Sequence, residues 1–245
     1  MAAPKLKRGI ERLYAQLLAA YGRQGWWPLS SRAGERGFDA RGYHPGVYGQ
    51  PRNPAGRFEI VMGAILTQNS AWTNAEAALG RLRDAGIRLP ADVRACPQER
   101  LARLIRSSGY YNQKARKLKE VAGLFRTAIS LSPRAAPSRE DLLSCWGVGP
   151  ETADSILLYA FHAPAFVVDA YTRRLLTRTG IVESNRQHAY DDTQRIFHDS
   201  LPRDHRLFNE YHALIVEHAK QHCRAKPVCG GCPVRVCRYR DARRA

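Results

Sequence analysis

The stretch LLSCWGVGPETADSILLYAF, Leu142 to Phe161, decides the fold. Two apolar segments with helical spacing are joined by the turn Trp146-Gly147-Val148-Gly149-Pro150. Glycines at 147 and 149 open backbone angles closed to other residues. Pro150 suits the first turn of the second helix, where its missing N–H would have no partner in any case. Ser138, with Asp141 three residues on, reads as a capping box opening the first helix. In the second helix Ala153, Ile156, Leu157 and Ala160 recur at i, i+3, i+4 and i+7, which predicts a packed face. A turn of this kind presents backbone N–H groups beside a positive helix N-terminus, where a phosphate oxygen can bind irrespective of base identity. An ordinary tight connection between helices has the same Gly-x-Gly, so the turn alone leaves both readings open.

Charge narrows the choice. The chain has 245 residues with 39 Lys and Arg against 22 Asp and Glu, a formal net charge of +17. Such an excess favours a polyanionic partner, nucleic acid first. No segment approaches the ~18 apolar residues of a membrane span. The N-terminus, MAAPKLKRGIERLYAQLLAAYG, spaces its apolar residues helically around charges and is not a signal peptide. Four of the six cysteines crowd near the C-terminus, while Cys96 and Cys145 stand alone. Cys223, Cys229, Cys232 and Cys237 form a C-x5-C-x2-C-x4-C array. Thiolates this close repel one another unless a metal neutralises them, and both zinc and an iron–sulfur cluster suit four cysteines. A reducing, cytoplasmic location fits that use better than a disulfide framework does.

The rest of the chain is helical in pattern. Helices are expected over residues 8–21, 58–69, 72–85, 97–107, 112–130, 170–179, 188–200 and 206–222, and no run alternates long enough for a sheet. FEIVMGAILTQN, residues 58–69, is apolar nearly all round and predicts a buried central helix. Residues 29–57, rich in Gly, Pro and Arg without periodicity, read as a long basic loop, either a DNA contact or a mere insertion. Asp169 stands before the helix 170–179, which Gly180 terminates; its ordinary role there is an N-cap.

Together the hairpin, the Asp that follows it in FVVDAYTRRLL, and the segment GYYNQKARKL (109–118) resemble the endonuclease III superfamily of helix-hairpin-helix DNA glycosylases over roughly residues 58 to 237. The resemblance implies an all-α, two-lobed fold with a C-terminal iron–sulfur loop. Its central helical domain would span 58–166. The second domain would combine 1–57 with 167–245 and carry the cluster loop 223–237. The cleft between them would hold Asp169, with the hairpin at its rim. It implies a monomer that acts on double-stranded DNA containing a damaged base, associated with the nucleoid. Trp146, Gly147, Val148 and Gly149 would grip the DNA backbone, and Asp169 would be catalytic. Superfamily members that also nick the strand carry a Lys two residues after the hairpin's last Gly. Glu151 stands there in this chain and cannot form an imine, so a monofunctional glycosylase is expected. The resemblance favours a [4Fe–4S] cluster over zinc at the four cysteines, although two of the gaps are one residue shorter than the family's.

Two further segments bear on the substrate. GAILTQNSAW ends the expected buried helix with Gln68 and Asn69, at the corner where the family places the residue that fills the gap left by a flipped base. A polar helix end is the alternative for each. GWWPL carries Trp26, Trp27 and Pro28, which are either buried anchors or, with ILTQN and Glu151, a likeness to the bacterial 3-methyladenine DNA glycosylase III branch. That branch implies a base pocket lined at this place and an alkylated purine as substrate, though its best-known type lacks the four-cysteine array. The competing readings are a uracil, thymine-mismatch or oxidised-pyrimidine glycosylase, and a non-enzymatic helix-hairpin-helix protein that only binds DNA.

Overall fold

A computed structural model of the protein describes residues 3–125, 136–183 and 189–242, and among these every regular element is a helix. They fall into two compact units, Met1–Trp26 with Pro164–Ala245, and Trp27–Ala163. Residues 27–57, which the sequence groups with the chain ends, cluster with the middle of the chain instead.

In the unit Trp27–Ala163, α2 (Pro54–Leu66) is the centre, and its residues from Gly56 to Leu66 are all buried. It begins four residues before the expected start. Asn53 caps it by accepting from the Gly56 N–H at 2.7 Å, and Pro54 fills the first turn. Around it pack α3 (Trp72–Asp84), α6 (Tyr111–Leu124) and α8 (Pro150–Ser155). Between α3 and α6 lie α4 (Pro90–Ala95), a short helix the periodicity does not reveal, and α5 (Gln98–Leu104). The expected end of α6, residues 126–130, lies outside the described residues, as does residue 188. Lys114 of α6 is only 2% exposed, and its Nζ donates to Leu66 O at 2.8 Å and Ser108 O at 2.7 Å. Burial, with Lys117 nearby, pushes its amine down to about 8. The loop 29–57 is pinned to this unit rather than loose. The Leu29 N–H donates to Gly42 O at 3.0 Å, the Ser30 hydroxyl donates to Glu59 of α2 at 2.8 Å, and buried His44 bridges Trp27 O and Val47 O.

The hairpin helices are α7 (Arg139–Ser144) and α8. Ser138 and Asp141 form the expected capping box, with reciprocal bonds of 3.0 Å. Arg139 clamps the two helices by a fork onto fully buried Asp154 at 2.9 and 3.2 Å. Ala153, Ile156, Leu157 and Ala160 are buried as expected. Beyond Ser155 the helix widens into a π turn, Ile156–Ala160, before the chain leaves the unit.

In the other unit, α1 (Ala3–Tyr21) packs on α10 (Tyr190–Ser200) and α11 (His205–Gln221). The Tyr211 hydroxyl donates to Ile10 O at 2.8 Å, and Phe166 stacks on Phe197 with centroids 3.6 Å apart. α9 (Ala170–Thr179) lies against α11, and the short α12 (Arg238–Asp241) against α9. Gly180 ends α9 in the left-handed region at φ 75°. No described helix is long and apolar enough to cross a membrane.

Candidate active site and nucleic-acid interface

Asp169 is the N-cap of α9, as its position before AYTRRLLTRT requires. Its Oδ1 accepts from the Thr172 N–H at 2.7 Å, and the side chain as a whole is 13% exposed. Capping therefore occupies one oxygen and leaves the group in reach of solvent. The second oxygen faces α11, where His212 Nε2 stands 3.6 Å from Oδ2, too long for a hydrogen bond but within ion-pair range for an imidazolium. Burial alone would raise this carboxyl; His212 and Thr172 outweigh it and hold the group below the ordinary aspartate range. His212 is the residue sequence reading missed. The only signal was a histidine among apolar neighbours in NEYHALIVEH, where a core position is the usual explanation.

Trp26 lies next along this cluster. Its ring meets His212 edge-on at 5.8 Å, Asn209 Nδ2 donates to its carbonyl at 2.7 Å, and Lys220 Nζ is 5.7 Å from its ring centre. Trp26 is half-buried. The adjacent tryptophan behaves differently. Trp27 is buried in the unit Trp27–Ala163, its ring edge-on to Trp72 at 5.4 Å and tilted against Tyr159 at 5.2 Å, and Pro28 is buried beside it. Trp27 and Pro28 thus pack as anchors, and Trp26 packs on His212, the residue that faces Asp169.

At the hairpin, Trp146, Gly147 and Gly149 are exposed and Val148 points inward. Gly147 has φ 78°, and a Cβ there would meet Lys117 Cε at 2.3 Å, so no other residue fits without moving that lysine. Lys117 Nζ donates to Gln68 Oε1 at 2.6 Å. The Gln68 amide in turn donates to Gly147 O at 3.2 Å and to the Thr152 hydroxyl at 2.9 Å. Gln68 is accordingly engaged in fixing the turn. Its neighbour Asn69 is exposed in the left-handed region, φ 50°. The guanidinium of Arg116 sits 4.1 Å over the Trp146 ring, adding a cation to the tip. Glu151 is exposed in the first turn of α8.

The four clustered cysteines line one small hollow below α9, together with Leu175 and Tyr239. Arg178 organises the loop above it. Its guanidinium donates to Arg224 O at 2.6 Å and Ala225 O at 2.9 Å and approaches Cys223 Sγ at 3.4 Å. The Cys237 thiol faces Arg178 O at 3.4 Å. Among the described residues no three His, Cys, Asp or Glu side chains are drawn together on a single metal position. The donor set, four thiols on one hollow with a guanidinium against a sulfur, fits a group that thiolates hold.

The comparisons with known proteins agree with this arrangement. The family model "HhH-GPD superfamily base excision DNA repair protein" matches residues 62–203. The protein named "Putative DNA repair glycosylase MJ1434" of Methanocaldococcus jannaschii is 38% identical over 233 residues, covering 92% of this chain and 94% of that protein. An endonuclease III of Sulfolobus acidocaldarius is 29% identical over 197 residues, 79% of this chain and 85% of the relative. An endonuclease III solved as a trapped covalent intermediate with DNA superposes with a TM-score of 0.72 at 22% identity, over 98% of this chain and 99% of that one. The all-helical architecture is that of endonuclease III, and the chain belongs to the HhH-GPD superfamily of base excision DNA repair proteins.

Proposed function

We propose that this DNA glycosylase is monofunctional and removes an alkylated purine such as 3-methyladenine, with Asp169 as its catalytic residue. The observation that carries the proposal is the environment of Asp169: an ionised, partly exposed carboxylate capping α9, held by His212, against whose ring the half-buried Trp26 packs edge-on. A base is cut only after it leaves the stack and is read by ring contacts in a pocket. As the C1′–N bond breaks, its electron pair departs with the base and the sugar carbon becomes cationic. The Asp169 anion stabilises that charge, and a water adds to C1′ and passes its proton to the carboxylate or to solvent. An alkylated purine leaves as a good leaving group, and its electron-poor ring suits an indole face. Trp146, Gly147, Val148 and Gly149 hold the backbone of the strand, with Gln68 and Lys117 fixing the turn. Asn69, exposed at the end of α2, is the better placed of the amide pair to fill the space the base vacates.

One observation favours a second reading, a uracil, thymine-mismatch or oxidised-pyrimidine glycosylase. Lys220 stands over the Trp26 ring, and an ammonium there opposes a cationic base more than a neutral pyrimidine. Duplexes carrying single 3-methyladenine, 7-methylguanine, uracil, mismatched thymine or thymine glycol separate the readings. Release of methylated purine is expected, with strand breaks appearing only after alkali. Release of pyrimidines alone would replace the first reading with the second. Binding to all the duplexes with release from none would leave a DNA-binding protein without the assigned chemistry.

Cys223, Cys229, Cys232 and Cys237 would hold a [4Fe–4S] cluster, which supplies a structural bridge for the loop rather than redox chemistry. Arg178, Arg224, Lys226, Arg235 and Arg238 surround it and give the loop its positive field. Protein purified without oxygen is expected to be yellow-brown, with broad absorption near ~400 nm that chelation bleaches. Colourless protein with one zinc per chain would reassign the group.

A further inference from the structure

α1 carries charges in an arrangement that opposes its own stability. Lys5, Arg8 and Arg12 recur along one exposed stripe, at spacings of three and four residues where like charges repel. Lys5 and Arg8 also lie near the positive end of the helix dipole, and the first turn holds no acid to balance them. On another face of the same helix Lys7 approaches Glu11 at 3.9 Å, so acids are available to α1. Among the described residues no carboxylate pairs with Lys5, Arg8 or Arg12.

The three cations line one groove of about 520 Å³. Its floor is small and apolar, made where Gly9 faces Ile181; a Cβ added at Gly9 would sit 3.6 Å from Ile181 Cγ1. Val236, 55% exposed, forms part of the wall, and among the described residues no acid contributes to the lining. Beyond Gly180 the stem of Arg238 lies close enough that a Cβ at 180 would meet its Cδ at 2.4 Å, which adds a fourth cation at the rim. From Lys5 to Arg12 the helix rises ~10 Å, about the length of three nucleotides at 3.4 Å per step of one strand.

We infer that this groove is a second DNA-backbone site, which takes phosphodiester groups of the duplex outside the lesion through Lys5, Arg8 and Arg12. Phosphates neutralise the repulsion along α1, and the apolar floor accommodates sugar edges. The contact is blind to sequence and damage. It adds to the grip of the protein on undamaged DNA, independently of which base is excised.

The test uses the full chain and an undamaged 30-base-pair duplex, so it needs no base release and survives failure of the substrate assignment. Lys5→Ala/Arg8→Ala/Arg12→Ala is expected to bind ~10²-fold more weakly near physiological salt. The slope of log affinity against log salt should flatten by between two and three, roughly 0.9 for each phosphate no longer neutralised. Lys7→Ala, on the ion-paired face, is the control and should keep the wild-type slope. Gly9→Glu leaves every cation in place and sets a carboxylate in the floor; it too should weaken binding, which guards against a folding defect in the triple variant. An unchanged slope in the triple variant, or an equal loss in Lys7→Ala, overturns the inference. So does a triple variant that binds DNA normally but loses adsorption to phosphatidylserine vesicles, which would make the groove a lipid contact.

Discussion

Asp169→Asn is expected to abolish base release while leaving DNA binding intact, with a fall of roughly 10³-fold or more in the single-turnover rate. Such a loss corresponds to at least ~4 kcal/mol of transition-state stabilisation. The choice of Asn matters because Asp169 has two tasks. As N-cap of α9 it accepts from the Thr172 N–H, and Asn caps a helix as well as Asp does. The variant therefore keeps its fold and its affinity, and loses the negative charge. The pH profile gives an independent check. The folded carboxyl lies below its ordinary value, held there by His212 and Thr172 against the effect of burial. A depressed acid contributes stability above its unfolded value, near ~3.9, and that contribution disappears as pH falls through the folded value. Asp169 is thus ionised throughout the neutral and mildly acid range, and its titration should cause no decline in rate between pH 8 and 5. His212→Gln removes the main partner and should move the acid limb of the profile upward. Measured release by Asp169→Asn at near the wild-type rate would end the assignment.

Much of this is legible in the sequence alone, and the reason differs from element to element. The hairpin is readable because its signals are local: a capping pair at Ser138 and Asp141, two glycines, and Pro150 at a helix start all act within a few residues. The same holds for α9, where Asp169 and Gly180 mark both ends. The start of α2 escapes the apolar pattern because Gly56 reads as loop, while the Asn53 cap and Pro54 already specify a helix. Residues 29–57 read as unanchored because their ties are non-local. Glu59 holds Ser30, and the carbonyl of Trp27 meets His44, contacts that no periodicity encodes.

The site divides in the same way. The four cysteines stand out by residue type and spacing, whereas Asp169 reads as an ordinary N-cap until the resemblance to the endonuclease III superfamily gives it a catalytic role. His212 does not, since it is 43 positions from Asp169 in the chain and only the packing of α9 on α11 brings them together. The paired tryptophans show a further limit. Nothing in GWWPL says that Trp26 meets His212 while Trp27 turns to Trp72 and Tyr159. Gln68 and Asn69 separate similarly, one bonded into the hairpin turn and the other exposed.

Borohydride is expected to trap no covalent adduct between the wild-type protein and damaged DNA, and the product strand should stay whole until alkali is added. Strand cleavage by a glycosylase requires an amine to attack C1′ and form an imine, which borohydride reduces to a stable bond. In this chain the position two residues after Gly149 is Glu151, exposed in the first turn of α8, and its carboxylate can neither attack as an amine nor be reduced. The acid also suits the positive end of that helix, so its replacement by Lys should cost about 0.3–1 kcal/mol of stability. Glu151→Lys is nevertheless expected to gain a borohydride-dependent band that wild type lacks. An exposed lysine near its ordinary pKa of ~10.4 is almost fully protonated at neutral pH. The band should therefore form slowly at pH 7 and faster toward pH 9, as the neutral amine becomes available. The buried amine of Lys114, pushed down to about 8, is the obvious internal competitor, but its Nζ is held by Leu66 O and Ser108 O inside the unit. A strong trapped band from wild type that disappears in Lys114→Met would show that this amine reaches the sugar after all, and the protein would then be a lyase as well as a glycosylase.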